Sequence, residues 1–134
     1  MVKITHASGK RKKAIARATL KAGTGAVRIN SIPLQLVQPE LARLKLAEPL
    51  TLAPEYATDF DIDVNVRGGG PMAQAEAARL AIATALVNHT RSDRLKTRYL
   101  GYDRTLLVAD VRQRETRKPN TRGNARAKRQ KSYR

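Results

Sequence analysis

Residues 112–134 hold ten cations, one acid (Glu115) and only three apolar side chains, Ala125, Ala127 and Tyr133, with Pro119 and Gly123 interspersed. Such a segment cannot bury enough surface to offset the entropy of ordering it, so it is expected to take no fixed fold without a partner. Any packed structure must come from residues 1–111, a length that supports one domain with a real core. The chain is therefore expected to divide into a globular part, 1–111, opening with a basic N-terminal arm, and an extended basic tail, 112–134.

Charge placement sharpens this division. Residues 1–21 carry seven cations and no acid, and residues 112–134 net +9, while 22–111 holds ten cations and ten acids. The whole chain carries +16. A balanced globule with one-signed extensions points to a polyanionic partner, here read as nucleic acid. An anionic membrane would call for a basic amphipathic helix with Trp or Phe on its apolar face. The chain has no Trp and one Phe, and no run of 18 apolar residues, so no membrane role is expected. The absence of cysteine excludes disulfides and thiolate metal sites and is compatible with a cytoplasmic setting. The N-terminus, MVKITHASGKRKKA, lacks the long apolar core of a signal peptide.

Within the globular part, KAIARATLK (13–21) and AVRINSI (26–32) alternate at strand period, and AGTG (22–25) between them predicts a hairpin. PELARLKLAEP (39–49) predicts a short amphipathic helix with Leu41, Leu44, Lys45 and Glu48 on one face. FDIDVNVR (60–67) is the clearest strand, with Phe60, Ile62, Val64 and Val66 facing one way. Gly68–Gly70 end it, and Pro71 opens a helix to about His89 that is apolar nearly all round and therefore expected to be central. In that helix Glu76 and Arg79 are spaced to pair. A further helix over 91–101 has Ser92 as its N-cap and Gly101 as its stop, and TLLVAD (105–110) reads as a last strand. The order β-β-α-β-α-α-β implies an α+β fold, one mixed sheet packed with helices.

Two stretches suit phosphate. Lys10, Arg11, Lys12 and Lys13, with Arg17 on the strand they lead into, offer flexible point charges and planar forks. Arg67, Gly68, Gly69 and Gly70 precede a helix start, where backbone N–H groups attract anions, and Gln74 lies on the first turns. The same glycines serve equally well as a strand-to-helix turn needing unusual φ values. In the tail, Arg112, Arg114, Arg117, Lys118, Arg122, Arg126, Lys128 and Arg129 can contact successive phosphates, each adding a salt dependence of roughly −0.7 on single strands. Fully extended, the tail spans ~75 Å, and Tyr133 is able to stack on a base.

Asp59, Asp61, Asp63 and Asn65 do not form a calcium loop, because Val64 and Gly70 stand where Gly and Glu would be required. His6 and His89 lie far apart, and His89 reads as a partner of its helix's C-terminal dipole. No nucleophile–base pair emerges from the spacing, and GxxxxGK followed by Ser or Thr is absent. An enzyme on this fold, a small-molecule kinase or a nuclease, would need a closed pocket with converging acids. A free nucleic-acid chaperone is the other alternative.

GKRKKAIAR (9–17), GTGAVRIN (23–30), VRGGGPMAQAEAARLAIATAL (66–86), DVRQRETRKP (110–119) and the closing RQKSYR (129–134) together resemble the small-subunit ribosomal protein S-nine family over nearly the whole chain. The glycine-rich block with its helix, and the tail, are the specific parts. QKSYR is similar to the archaeal and eukaryotic branch; bacterial members usually end Gln-Tyr-Ser-Lys-Arg. Val111 and residues 116–120 depart from the commoner family pattern. The resemblance implies a body bound to ribosomal RNA in the head of the small subunit, beside neighbouring head proteins, in the cytoplasm. It implies a fold similar to the second domain of ribosomal protein S-five, with a left-handed β-α-β crossover where the general rule gives a right-handed one. It also implies a tail that reaches P-site tRNA through Lys131, Ser132 and Arg134. No enzyme activity, no cofactor, no metal and no homo-oligomer is expected.

Overall fold

The computed structural model describes residues 3–128, 130, 132 and 133. Among these, one mixed five-stranded sheet and four α-helices form an α+β fold. The strands are β1 (Thr5–Arg11), β2 (Ala14–Ala22), β3 (Val27–Ile29), β4 (Ile32–Pro33) and β5 (Phe60–Arg67); the helices are α1 (Glu40–Thr51), α2 (Pro54–Ala57), α3 (Pro71–Thr90) and α4 (Asp93–Tyr102). Sheet order is β1-β2-β5-β3-β4, antiparallel except between β3 and β5. The peptide between Gln38 and Pro39 is cis.

β1 was not visible as a strand in the sequence. Its inward residues are Thr5, Ala7 and Gly9, too small to register as a core stripe, yet they face α3. A Cβ on Gly9 would sit against the Ala77 carbonyl oxygen and the Ala81 amide nitrogen. Ala14, Ala16 and Ala18 of β2, and Ala77, Ala81 and Ala85 of α3, are all essentially inaccessible. Sheet and helix thus meet through hydrogen atoms and methyl groups. The larger side chains, Leu20, Ile62, Ile82 and Leu86, fill the core beside this contact, and Leu46, Leu95, Tyr99 and Leu106 extend it.

The expected hairpin between 13–21 and 26–32 does not form. β2 pairs with β1 and β5, and β3 lies on the far side of β5, parallel to it. The Asp61 carboxylate explains the crossing. It accepts the backbone N–H groups of Thr24 (2.9 Å) and Ala26 (3.0 Å), drawing the 22–26 loop across the end of β5. Those two amides, Ala26 first, hold the Asp61 carboxyl below its usual value. β3 and β5 are joined through α1 and α2, a β-α-β unit.

α1 buries Ala42, Leu46 and Pro49, not the expected face: Leu41 and Leu44 are 68% and 57% exposed. Lys45 and Glu48 instead reach α3, pairing with Glu76 and Arg79. Glu76 and Arg79 therefore do not pair with each other. Tyr99 donates to the Pro49 carbonyl at 2.7 Å, and burial raises its phenol above the ordinary value.

α4 begins as expected, with Ser92 Oγ accepting the Leu95 N–H, but Gly101 lies inside its last turn rather than beyond it. Residues 105–110 are not a strand. Arg104–Leu106 form a 3-10 turn whose Asp103 cap accepts the Thr105 N–H. Arg79 donates to both Asp103 and Thr105, which ties this turn to α3 and inserts Leu106 into the core.

His89 is not a charged partner of its helix terminus. Its Nδ1 meets Thr5 Oγ1 at 2.8 Å, its ring packs edge-on against Phe60, and Lys3 Nζ donates to its carbonyl. Burial, then the Lys3 charge, lowers its pKa. The folded ring holds a proton less tightly than the unfolded chain does, whose value is about 6.5. Stability is then full above that pH and falls as pH drops through it toward the lowered folded value. His89→Gln is expected to flatten the melting temperature between about pH 7 and 5 relative to the parent.

The Gly9 contact gives a second test. Gly9→Ala is expected to cost about 1–3 kcal/mol in urea unfolding, the usual penalty of overpacking. Gly101→Ala, with nothing within 4 Å of its added methyl, should instead stabilise by about 0.4–1 kcal/mol.

Candidate nucleic-acid interface

The helices cover one face of the sheet and leave the other open. Strand register orders the open face into rungs: Lys10–Ile15–Arg67, Ser8–Arg17–Asn65, then His6–Thr19–Asp63–Arg28, and Lys21–Asp61. The face is polarised along the strands. Lys10, Arg17 and Arg67 are exposed at one end. At the other, Asp63 pairs with Lys21 at 3.7 Å and Asp61 is occupied by backbone amides. The acids of β5 that suggested a metal site are thus engaged locally. Among the described residues, no group of three or more His, Asp or Glu side chains is placed to hold a metal ion, and no helix is long and apolar enough to cross a membrane.

The cationic end gathers segments that are remote in the chain. Lys12 and Lys13 form the tip of the β1–β2 turn, with Lys12 in the left-handed region at φ 53°. Gly68 and Gly69 take φ +77° and +67°, and a Cβ on Gly68 would strike the Lys13 carbonyl. These two glycines therefore serve the strand-to-helix turn and its close packing on the hairpin. Gly70 is different: nothing lies within 4 Å of its missing Cβ. It caps α3 without a side-chain hydrogen bond, and no acid occupies the first turn. Gln74, half-buried, is engaged locally: its Nε2 donates to the Gly68 carbonyl at 3.1 Å and braces the turn. The start of the tail closes the group, Gln113 donating to the Lys12 carbonyl at 3.3 Å. An open cleft results between Lys12, Lys13, Gly69, Gly70, Arg112 and Arg114.

Arg11 faces inward. Its side chain is 15% exposed, with Nε on Glu76 at 2.8 Å and Nη2 on Asp110 at 3.5 Å. Arg112 is exposed but bound to Asp110 at 2.6 Å. Arg114, Arg117, Lys118, Arg122 and Lys128 are exposed. Arg126 pairs with Glu115 at 2.6 Å. That pair closes residues 115–126 into a loop, inside which the Thr121 hydroxyl donates to the Lys118 carbonyl. Ser132 and Tyr133 are exposed; Arg129, Lys131 and Arg134 lie outside the described residues. Arg28 and Ser8, which the sequence does not single out, belong to the open face, as does Asn65, which the sequence offers only as a metal candidate. Only the pairing register places them beside Arg17 and Asp63.

A sheet face open to solvent and cationic at one end, with a basic strap leaving its edge, is able to present positive charge to a polyanion. Comparison with known proteins carries this further. The sequence model described as "Ribosomal protein S9/S16" matches residues 9–134. The small ribosomal subunit protein uS9 of Methanothrix thermoacetophila is 50% identical over 133 residues, covering 99% of this chain and 100% of that protein. The protein of the same name from Methanococcus maripaludis is 49% identical over 134 residues, with the same coverage. The chain belongs to the ribosomal protein S9/S16 family, a family of structural ribosomal proteins and not of enzymes. Its role is a structural one in the ribosome, in translation.

The geometry separates the cations by environment, Arg17 and Arg67 exposed and Arg11 turned inward. Arg17→Gln and Arg67→Gln should each weaken binding to single-stranded RNA and lower the salt slope by roughly 0.7. Arg11→Gln should leave the slope nearly unchanged and lower the melting temperature instead. Filter binding at several salt concentrations, beside thermal melts, distinguishes the two classes.

Proposed function

We propose that the chain is a constituent of the small ribosomal subunit that binds ribosomal RNA in the subunit head and lays the end of its tail against P-site tRNA. The observation that carries this reading is that relatives near half identity, each named a small ribosomal subunit protein, align over 99% of the chain, basic tail included. The open face supports it. Lys10, Arg17 and Arg67 stand on neighbouring rungs, Lys12 and Lys13 project from the hairpin tip, and Gly70 leaves the α3 terminus accessible to a phosphate. Contacts of this kind fix position and orientation and read no sequence.

In this reading residues 1–111 dock as a preformed body, and 112–134 take their path from the RNA. The tail's arginines and lysines add phosphate contacts along that path. Lys131, Ser132 and Arg134 then face the tRNA, holding it in register by charge rather than by base recognition. Neighbouring head proteins complete the surroundings, in the cytoplasm.

Sucrose-gradient fractionation tests the assembly: the protein should co-migrate with salt-washed small subunits, and recovery of all of it at the top of the gradient would refute that claim. Deleting residues 131–134 tests the tail. Thermal stability and incorporation should remain nearly intact while P-site tRNA affinity falls; unchanged tRNA affinity across several salt concentrations would remove the tail's role.

A further inference from the structure

The tail leaves the body at a place it has electrostatic reason to avoid. Residues 112–114 run beside Lys12 and Lys13, like charges on like. Apolar burial does not hold the chain at the turn-off, where Val111 is 83% exposed. What counters the repulsion is a chain of ion pairs. Asp110 accepts the backbone N–H of Arg112 (3.1 Å), its Nε (3.0 Å) and its Nη2 (2.6 Å), clasping the first tail residue. The same carboxylate faces Arg11 Nη2 of β1 at 3.5 Å. Arg11 is oriented in turn by Glu76 of α3, whose other oxygen accepts Lys45 Nζ of α1 at 2.7 Å. The line Lys45–Glu76–Arg11–Asp110–Arg112 thus runs from the helical layer, through the edge strand, into the tail.

We propose that Asp110 and Glu76 are the positioning residues of the tail, holding its root against the β1–β2 turn so that it departs from the cationic end of the sheet. Asp110 does this directly, and Glu76 acts through Arg11. Both stay ionised. Hydrogen bonds from the Arg112 side chain, then from its N–H, hold the Asp110 carboxyl far below the ordinary carboxylate value. Burial pushes Glu76 upward, but the hydrogen bonds from Lys45 and Arg11 outweigh it and its pKa is lowered. Arg11 accordingly acts as the link between two acids, and this link holds the tail root in place to let Gln113 reach the Lys12 carbonyl at the edge of the cleft.

The functional consequence rests on the proposed path of the tail to tRNA, but the positioning itself is a property of the free protein and is tested without RNA. The chain has no cysteine, so Thr116→Cys accepts a single nitroxide label. In that background the amides of Lys12 and Lys13 should be strongly broadened. Asp110→Asn should relieve the broadening several-fold with little change in melting temperature, Asp110→Glu should largely restore it, and Glu76→Gln should relieve it while leaving Asp110 in place. Broadening that survives Asp110→Asn overturns the proposal. So does equal relief by Arg126→Gln, which opens only the tail's own loop and would assign the anchoring to that loop.

Discussion

At Gly9 no side chain separates β1 from α3, and the whole architecture is set by that distance. The residues that meet at the centre of this contact, Gly9 with Ala77 and Ala81, are glycine and alanine, and these lose almost no side-chain entropy when buried. The compensation is contact density: close-packed atoms gain dispersion energy that a looser interface forfeits. Because α3 lies so near the sheet, Glu76 and Arg79, which face away from it, stand level with α1 and the 103–110 segment. They can engage Lys45, Glu48, Arg11 and Asp103. A thicker layer between sheet and helix would carry both side chains out of reach of these partners.

The acids of this molecule are placed where cations would otherwise be disruptive. Asp103 and Glu48 neutralise Arg79, a nearly buried guanidinium. Asp63 and Asp61 occupy the end of the open face farthest from the lysine-tipped hairpin, and Glu76 and Asp110 turn Arg11 inward. After this internal pairing much of the exposed positive charge gathers at one end of the sheet and in the tail, with a further exposed set, Arg91, Arg94, Lys96 and Arg104, on and beside α4. Separation of this kind lets a strongly basic chain pack a core and still present a continuous surface to a polyanion.

Much of this was legible in the sequence where contrast between faces is strong. FDIDVNVR alternates branched apolar with polar residues, and the α3 segment combines a proline start with an unbroken apolar pattern, so β5 and α3 stand where the pattern puts them. β1 was illegible because its inner residues are too small to look like core; the only hint was their alternation with His6, Ser8 and Lys10. The hairpin expectation failed because nothing local in 13–32 reveals that β5 will lie between β2 and β3. The apolar face of α1 was misread because Leu41 and Leu44 are bulky, whereas the helix packs through Ala42, Leu46 and Pro49. At the candidate site, the basic residues were evident, but the inward turn of Arg11 depends on Glu76, 65 residues further on, and on Asp110, more distant still. Gln74 was correctly placed near the glycine turn, but its role as a brace required the Gly68 carbonyl.

The loop closed by Glu115 and Arg126 makes the tail something other than a ruler of constant length. Drawn out, residues 115–126 would cover ~40 Å; latched, their two ends lie one ion pair apart. Both side chains of the latch are largely in water, where such pairs hold weakly and salt screens them. The segment therefore carries slack that is let out only when this pair and the hydrogen bonds inside the loop, Lys118 N–H to Asn124 and Thr121 to Lys118, are given up together, so its span is not fixed by its length alone.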